Sequence, residues 1–376
     1  MRLINTQTLE LEEYIGDQVP GYAILSHTWG KDEATFQGWQ SPSRPYDKAG
    51  YRKILDACKQ ARYDKFEYLW CDTVCIDKSS SAELSEAINS MFSWYNKSRI
   101  CYAYLADVAW PKRRESSLRN SRWFTRGWTL QELLAPESVV FYDRKWIIIG
   151  HKEDLTMILS EITRIPMNMM GPRTMRTASI AQKMSWIATR TTTRIEDMAY
   201  CMLGIFDLNM PLLYGEGAKA FIRLQEELIK VSNDLTIFCW AWPEDKRDIP
   251  EDWASMLAPS PKGFLDSGDF SPRRIEESAL SITYSMTNAG LSIRLPTFQA
   301  LSYCFVLLEV RLELLGYGDD AGFLHRQSHV PSVRARMKLI FMWQRDFPIN
   351  QLSHMRTLPE SAAFCSLSMT DASSTR

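Results

Sequence analysis

Nothing in this chain is concentrated enough to place it in a specialised class. Its 376 residues include eight cysteines, scattered at positions 58, 71, 75, 101, 201, 239, 304 and 365. That excludes the dense disulfide framework of a small secreted domain and predicts reduced thiols. Neither sign of charge dominates, since 44 Lys plus Arg stand against 45 Asp plus Glu; no global field draws the protein to nucleic acid or to an anionic membrane. The apolar stretch at 303–315 is broken by Glu309, Arg311 and Glu313 and is too short and too charged to span a bilayer. The N-terminus carries Glu10, Glu12, Glu13 and Asp17 in place of a basic, then apolar, then small-residue leader. No Gly-x-Gly-x-x-Gly follows a strand, no Gly-x4-Gly-Lys-Ser/Thr occurs, and no internal repeat is present. These absences predict a cytoplasmic globular protein with no membrane span, no nucleic-acid partner and no bound cofactor.

What is present is apolar material in regular order. A hydrophobic content of 45% with 13 Trp fills at least one large core. Residues 22–26 read as a short buried strand and 48–62 as a helix, and the pattern repeats as 66–76 then 82–95, and as 100–105 then 125–135, before a last strand at 139–142. Apolar strands alternating with helices predict a parallel sheet covered on both faces. After residue 150 helices take over, at 153–162, 179–189, 195–206 and 218–231. A loop with two prolines follows at 242–250, and short strands with Gly and Pro turns resume at 280–286, 291–295 and 303–313. The expected organisation is an α/β core at 1–150, a helical extension packed on it at 151–240, a β-rich C-terminal domain at 251–350 and a disordered Ser/Thr-rich tail at 361–376.

Three segments end apolar runs in reactive or aromatic polar residues: Ala23-Ile-Leu-Ser-His-Thr-Trp-Gly30, Tyr68-Leu-Trp-Cys-Asp-Thr-Val-Cys-Ile-Asp77, and Ser121-Arg-Trp-Phe-Thr-Arg-Gly-Trp-Thr-Leu-Gln-Glu-Leu-Leu-Ala-Pro136. With Arg194-Ile-Glu-Asp-Met-Ala-Tyr200 and Gly204-Ile-Phe-Asp-Leu-Asn-Met-Pro-Leu-Leu-Tyr-Gly-Glu-Gly217, they resemble the fungal heterokaryon incompatibility (HET) domain over the first two thirds of the chain. The resemblance implies a self/non-self recognition protein that triggers programmed cell death through protein partners. More distantly, the order of elements is similar to that of TIR domains, which implies a flavodoxin-like sheet, a role akin to innate immunity and self-association. A TIR Trp-Cys-x-x-Glu helix carries the glutamate used by members that cleave NAD. The matching acid here is Glu132, four residues after Trp128 as in that pattern, although no Cys follows the Trp.

Ligands of open parallel sheets bind beyond the carboxyl ends of the strands. Ser26, His27 and Trp29 lie just past the strand at 22–26, and Asp72 near the end of the next. They form either one rim of a ligand site or, for His27 and Asp72, a buried pair that ties two loops together. Glu132 shares a helix face with Trp128, which makes it a partly dry carboxyl group. It is either the catalytic acid or half of a Gln131–Glu132 pair capping a loop. On the catalytic reading the substrate is NAD, its rings stacked on Trp128 or Trp29 and its phosphates met by Arg122 or Arg126. The alternative is a non-enzymatic adaptor that recruits an executor of cell death. Cys71 and Cys75, a single Cys-x3-Cys, are expected to be core residues, with no metal. Lys112-Arg-Arg114 is expected to be a solvated loop, and Gly215-Glu-Gly-Ala-Lys219 a turn before a helix.

Overall fold

The computed structural model describes residues 1–16, 18–110, 114–242, 255–272, 284–288, 290–293, 297–300, 303–312 and 338–344. Residues 243–250 of the loop expected at 242–250, the tail at 361–376 and the basic pair Lys112 and Arg113 lie outside them. The chain divides into two compact units, 1–177 with 190–220, and 178–189 with 221–376.

The first unit is built on a seven-stranded sheet. Its strands are β1 (Arg2–Asn5), β2 (Leu11–Glu13), β3 (Tyr22–His27), β4 (Tyr68–Trp70), β5 (Ile100–Leu105), β6 (Val139–Asp143) and β7 (Ile148–His151), in the order β2-β1-β4-β3-β5-β6-β7. The wholly parallel sheet expected from the apolar strands is corrected here: the sheet is mixed. The four central strands β4-β3-β5-β6 are parallel, while β1, β2 and β7 pair antiparallel at the edges. Every residue of β3 is buried, as a strand covered on both faces requires. The chain passes from β3 to β4 on one side and returns to β5 on the other, so the order of connections reverses beside the end of β3, where Ser26 pairs with Ala103.

Helices α1 (Phe36–Gln40), α2 (Ala49–Tyr63), α3 (Asp72–Cys75) and α4 (Ser81–Lys97) follow the first parallel strands. Thr35 caps α1 by accepting from the Gly38 N–H, and Ser80 caps α4 by accepting from the Glu83 N–H. The strand expected over 66–76 stops at Trp70, because Asp72 opens the four-residue α3. Helix α5 (Arg114–Arg119) precedes a 3₁₀ turn at Arg122–Thr125, and α6 (Thr129–Leu134) is shorter than the helix expected from 125. Lys152, itself buried, donates to the carbonyls of Pro136 and Leu133 and so closes the end of α6. Helices α7 (Thr156–Thr163), α9 (Asp197–Tyr200) and α10 (Leu203–Phe206) are the remaining α-helices among this unit's described residues, the last two breaking the single helix expected at 195–206.

In the second unit α8 (Ile180–Ile187) opens with a reciprocal Ser179–Gln182 capping box, and α11 (Lys219–Val231) supplies most of a long amphipathic helix. The turn expected ahead of α11 is present: Gly215 and Gly217 both adopt positive φ, and their N–H groups donate to the Glu196 carboxylate. The later described strands are β8 (Phe270–Pro272), β9 (Tyr284–Thr287), β10 (Gly290–Ile293), β11 (Thr297–Ala300), β12 (Tyr303–Leu312) and β13 (Lys338–Gln344). All their pairings are antiparallel: β9 with β10, and β12 with β8, β11 and β13.

Candidate functional site

The Ser121 hydroxyl starts the construction of the site. It donates to Asp107 Oδ1 at 2.7 Å and accepts from the Trp123 N–H, opening the 3₁₀ turn. That turn sends the Trp123 ring into the core, where it is fully buried, edge-on to Phe141. The Trp123 indole N–H donates to Ser26 Oγ at 2.8 Å, and the Ser26 hydroxyl donates in turn to Glu132 Oε2 at 2.5 Å. Thr129, first residue of α6, returns its hydroxyl to the carbonyls of Trp123 and Arg126. Arg190 donates to Arg126 O and Thr129 Oγ1, both at 2.9 Å. The short helix is thereby fixed against the end of β3.

Glu132 is 7% exposed. Burial, reinforced by the charge of Asp72, pushes its carboxyl up to about 8 against the opposing effects of Ser26, Tyr95 and Arg126. The loop-capping alternative is corrected: the carboxyl accepts from the hydroxyl of Ser26, 106 positions away, while the neighbouring Gln131 is buried with its Nε2 unpartnered among the described residues. Because Ser26 supports two groups, Ser26→Ala should leave the Trp123 N–H unsatisfied and destabilise the protein by about 1–3 kcal/mol. Comparing urea midpoints of the two proteins checks this, and equal midpoints would show that the relay carries no stability.

His27 follows Ser26 in an extended strand, so its side chain points to the other face. There it meets Glu33, Lys53 and Asp72, of which the sequence reading missed the first two. Lys53 Nζ donates to both oxygens of Glu33, at 2.7 and 2.9 Å. His27 Nε2 lies 3.6 Å from Glu33 Oε2 and 3.9 Å from Asp72 Oδ1. Neither distance makes a hydrogen bond, so the tie expected between His27 and Asp72 is corrected. Both imidazole nitrogens are buried without a hydrogen-bond partner among the described residues. Burial, aided by Lys53, pushes His27 down toward the neutral ring. Burial opposes ionisation of Glu33 and Asp72, but their cationic neighbours prevail and hold both below the usual carboxylate range.

Trp29 is half exposed. Its indole N–H donates to Asp72 Oδ2 at 3.0 Å, Lys78 Nζ reaches the same oxygen at 3.2 Å, and that ammonium sits 3.7 Å from the Trp29 ring centroid. A cavity of about 150 Å³ opens beside them, lined by Trp29, Glu33, Phe36, Gln37, Thr73 and Lys78. A larger hollow of about 610 Å³, lined by Pro20, Gly21, Lys65 and Arg99, lies at the opposite, amino ends of β3 and β4, away from this chemistry. Arg126 donates to Thr193 Oγ1 at 3.0 Å, and Trp128 hydrogen-bonds Asp197, so these two are half-buried neighbours of α6. Ser26 and Glu132 therefore form one cluster, and His27, Trp29 and Asp72 a second across β3. Asp77, further along, is taken up by Gln37 and Ser79.

Sheet and site together define an α/β protein that keeps a dry carboxyl group where the order of its parallel strands reverses. Residues 22–114 match the family model for heterokaryon incompatibility protein (HET). A stretch of 223 residues is 45% identical to vegetative incompatibility protein HET-E-1 of Podospora anserina, covering 57% of this chain and 16% of that protein. Ser26, His27, Trp29 and Asp72 fall inside the family match, and Arg126, Trp128 and Glu132 follow it. No solved structure matches the chain. Among the described residues, no helix is long and apolar enough to cross a membrane.

Proposed function

We propose that this chain acts in vegetative incompatibility, as the name of its Podospora anserina relative states for that protein, and triggers cell death in the cytoplasm by cleaving NAD at Glu132. The observation that carries the reading is the Glu132 carboxyl, dry and aimed by Ser26 at the switch point of the parallel strands. The order β4-β3-β5-β6 follows the flavodoxin-like sequence 2-1-3-4 and supports a TIR-related fold.

In the reaction the bond between nicotinamide nitrogen and ribose C1′ breaks, and its electron pair leaves with the ring, which becomes neutral nicotinamide. Ionised Glu132 stabilises the positive charge that develops on the ribose. Water then bonds to C1′ and its proton passes to solvent. Trp128 and Trp29 offer ring faces for stacking, Arg126 offers a phosphate contact, and His27 and Asp72 form the adjoining wall of the substrate site.

Purified protein incubated with NAD tests the proposal by release of nicotinamide. Intact NAD at high protein concentration would leave the adaptor role, in which the domain recruits an executor. The TIR resemblance further implies a site completed on self-association, so specific activity should rise with protein concentration or on forced dimerisation. A flat dilution series in a sample shown to be monomeric refutes that dependence.

A further inference from the structure

We propose that His27, Cys71 and Asp72 form a binding site for a divalent transition-metal cation of the zinc class. One ligand atom from each lies within 4.8 Å of the others, and the three meet at the carboxyl ends of β3 and β4. Around a tetrahedral zinc with bonds of about 2.0–2.3 Å, ligand atoms stand roughly 3.3–3.8 Å apart. The His27 to Asp72 separation of 3.9 Å is already close to that spacing. Cys75 is turned to another task, since its sulfur takes the Cys71 backbone N–H.

The strongest sign is His27. An imidazole buried with both nitrogens unpartnered carries an uncompensated desolvation cost, and a cation on one nitrogen removes that nitrogen's share of it. The surroundings match the outer partners that orient metal ligands. Asp72 engages Trp29 and Lys78 through Oδ2 alone, which leaves Oδ1 turned to His27. Cys71 Sγ lies 3.2 Å from the Thr73 hydroxyl, a donor suited to a thiolate. Glu33 stays on Lys53 and leaves the fourth position open. A histidine, a thiolate and a carboxylate make a borderline-soft set that suits zinc over magnesium or calcium. On binding, the Cys71 S–H bond breaks, a sulfur–metal bond forms and the proton goes to solvent, with no change of oxidation state. His27 and Asp72 are shared with the wall proposed for the substrate site, but metal binding is read without any NAD cleavage, so the two proposals fail separately.

The test uses the full chain, stripped with a chelator and reloaded with zinc or cobalt(II). About one zinc per chain should survive dialysis, and the cobalt form should show a thiolate-to-metal charge-transfer band with four-coordinate absorption. Cys71→Ser should abolish the band, and His27→Ala and Asp72→Asn should each weaken zinc binding at least about 100-fold. Should a variant not fold, X-ray absorption on the zinc-loaded wild type decides: one sulfur and one imidazole nitrogen support the site. No retained zinc, a sulfur-free or two-sulfur shell, or zinc binding unchanged in the folded variants overturns it.

Discussion

Glu132→Gln should lower NAD cleavage by about 100-fold or more and abolish death on expression, with the fold intact. Its carboxyl is pushed up to about 8, so at neutral pH the resting side chain is mostly the protonated acid. Gln has nearly the shape of that acid, and its carbonyl can accept from the Ser26 hydroxyl as Glu132 Oε2 does. Only the minority ionised form, the one that faces the developing ribose cation, is deleted. Wild-type activity should therefore rise as pH passes through about 8 and level off above it. Stability moves the other way. The folded state keeps a proton that the unfolded chain releases near the ordinary value of 4.5, so stability is lost progressively from there to about 8 and is constant beyond. At about 1.4 kcal/mol per pH unit, the loss reaches several kcal/mol. Glu132→Gln escapes it, so its urea midpoint should gain on the wild type between pH 5 and pH 8. A variant as toxic as the wild type excludes the catalytic role, and loss of its circular dichroism spectrum marks the carboxyl as structural.

The parts of this fold that depend on short-range pattern were legible in the sequence. Strand β3 is a run of apolar residues with no polar interruption before Ser26, and α2, α4 and α11 show their helical periodicity directly. Strands β1, β2 and β7 were missed because they are three or four residues long and half covered; β2 is Leu11-Glu-Glu13, which carries no apolar alternation. Those three strands turn a parallel sheet into a mixed one. In the site, the motif segments bring Ser26, His27, Asp72 and Glu132 to one edge, but the hydrogen bond from Ser26 to Glu132 is long-range. Nothing local told that Ser26 would serve Glu132; that His27 turns away from it follows from the alternation along β3. Glu33 and Lys53 were missed, although Lys53 left a trace, sitting among Gly50, Tyr51, Ile54, Ala57 and Cys58 on the buried face of α2. A lysine on such a face needs a buried anion, and Glu33 is it.

Gly50→Ala should be among the most damaging single substitutions in the first unit. Gly50 stands in the first turn of α2, where Ala is the better helix former by about 1 kcal/mol. Against that gain, an added Cβ would lie 2.2 Å from Asp32 O, 2.7 Å from Glu33 Cα and 2.9 Å from Ala34 N. All three are backbone atoms, so no side-chain rotation relieves the clash. The 32–34 segment must move, and Glu33 moves with it, away from Lys53 one turn further along α2. Overpacking costs about 1–3 kcal/mol, and an ion pair pulled apart inside the protein about 3–5 kcal/mol where the break is complete. A net loss of about 2–4 kcal/mol corresponds to a fall in Tm of roughly 5–15 °C for a unit of this size. Gly30→Ala is the control. Its Cβ would meet Glu33 Oε1 at 3.5 Å, an ordinary contact, and its N–H bond to the same carboxylate is kept. Its stability should stay within about 0.5 kcal/mol of the wild type. Equal melting of the two variants would mean that the 32–34 segment yields freely, and that Glu33 is placed by its charge partners and not by α2.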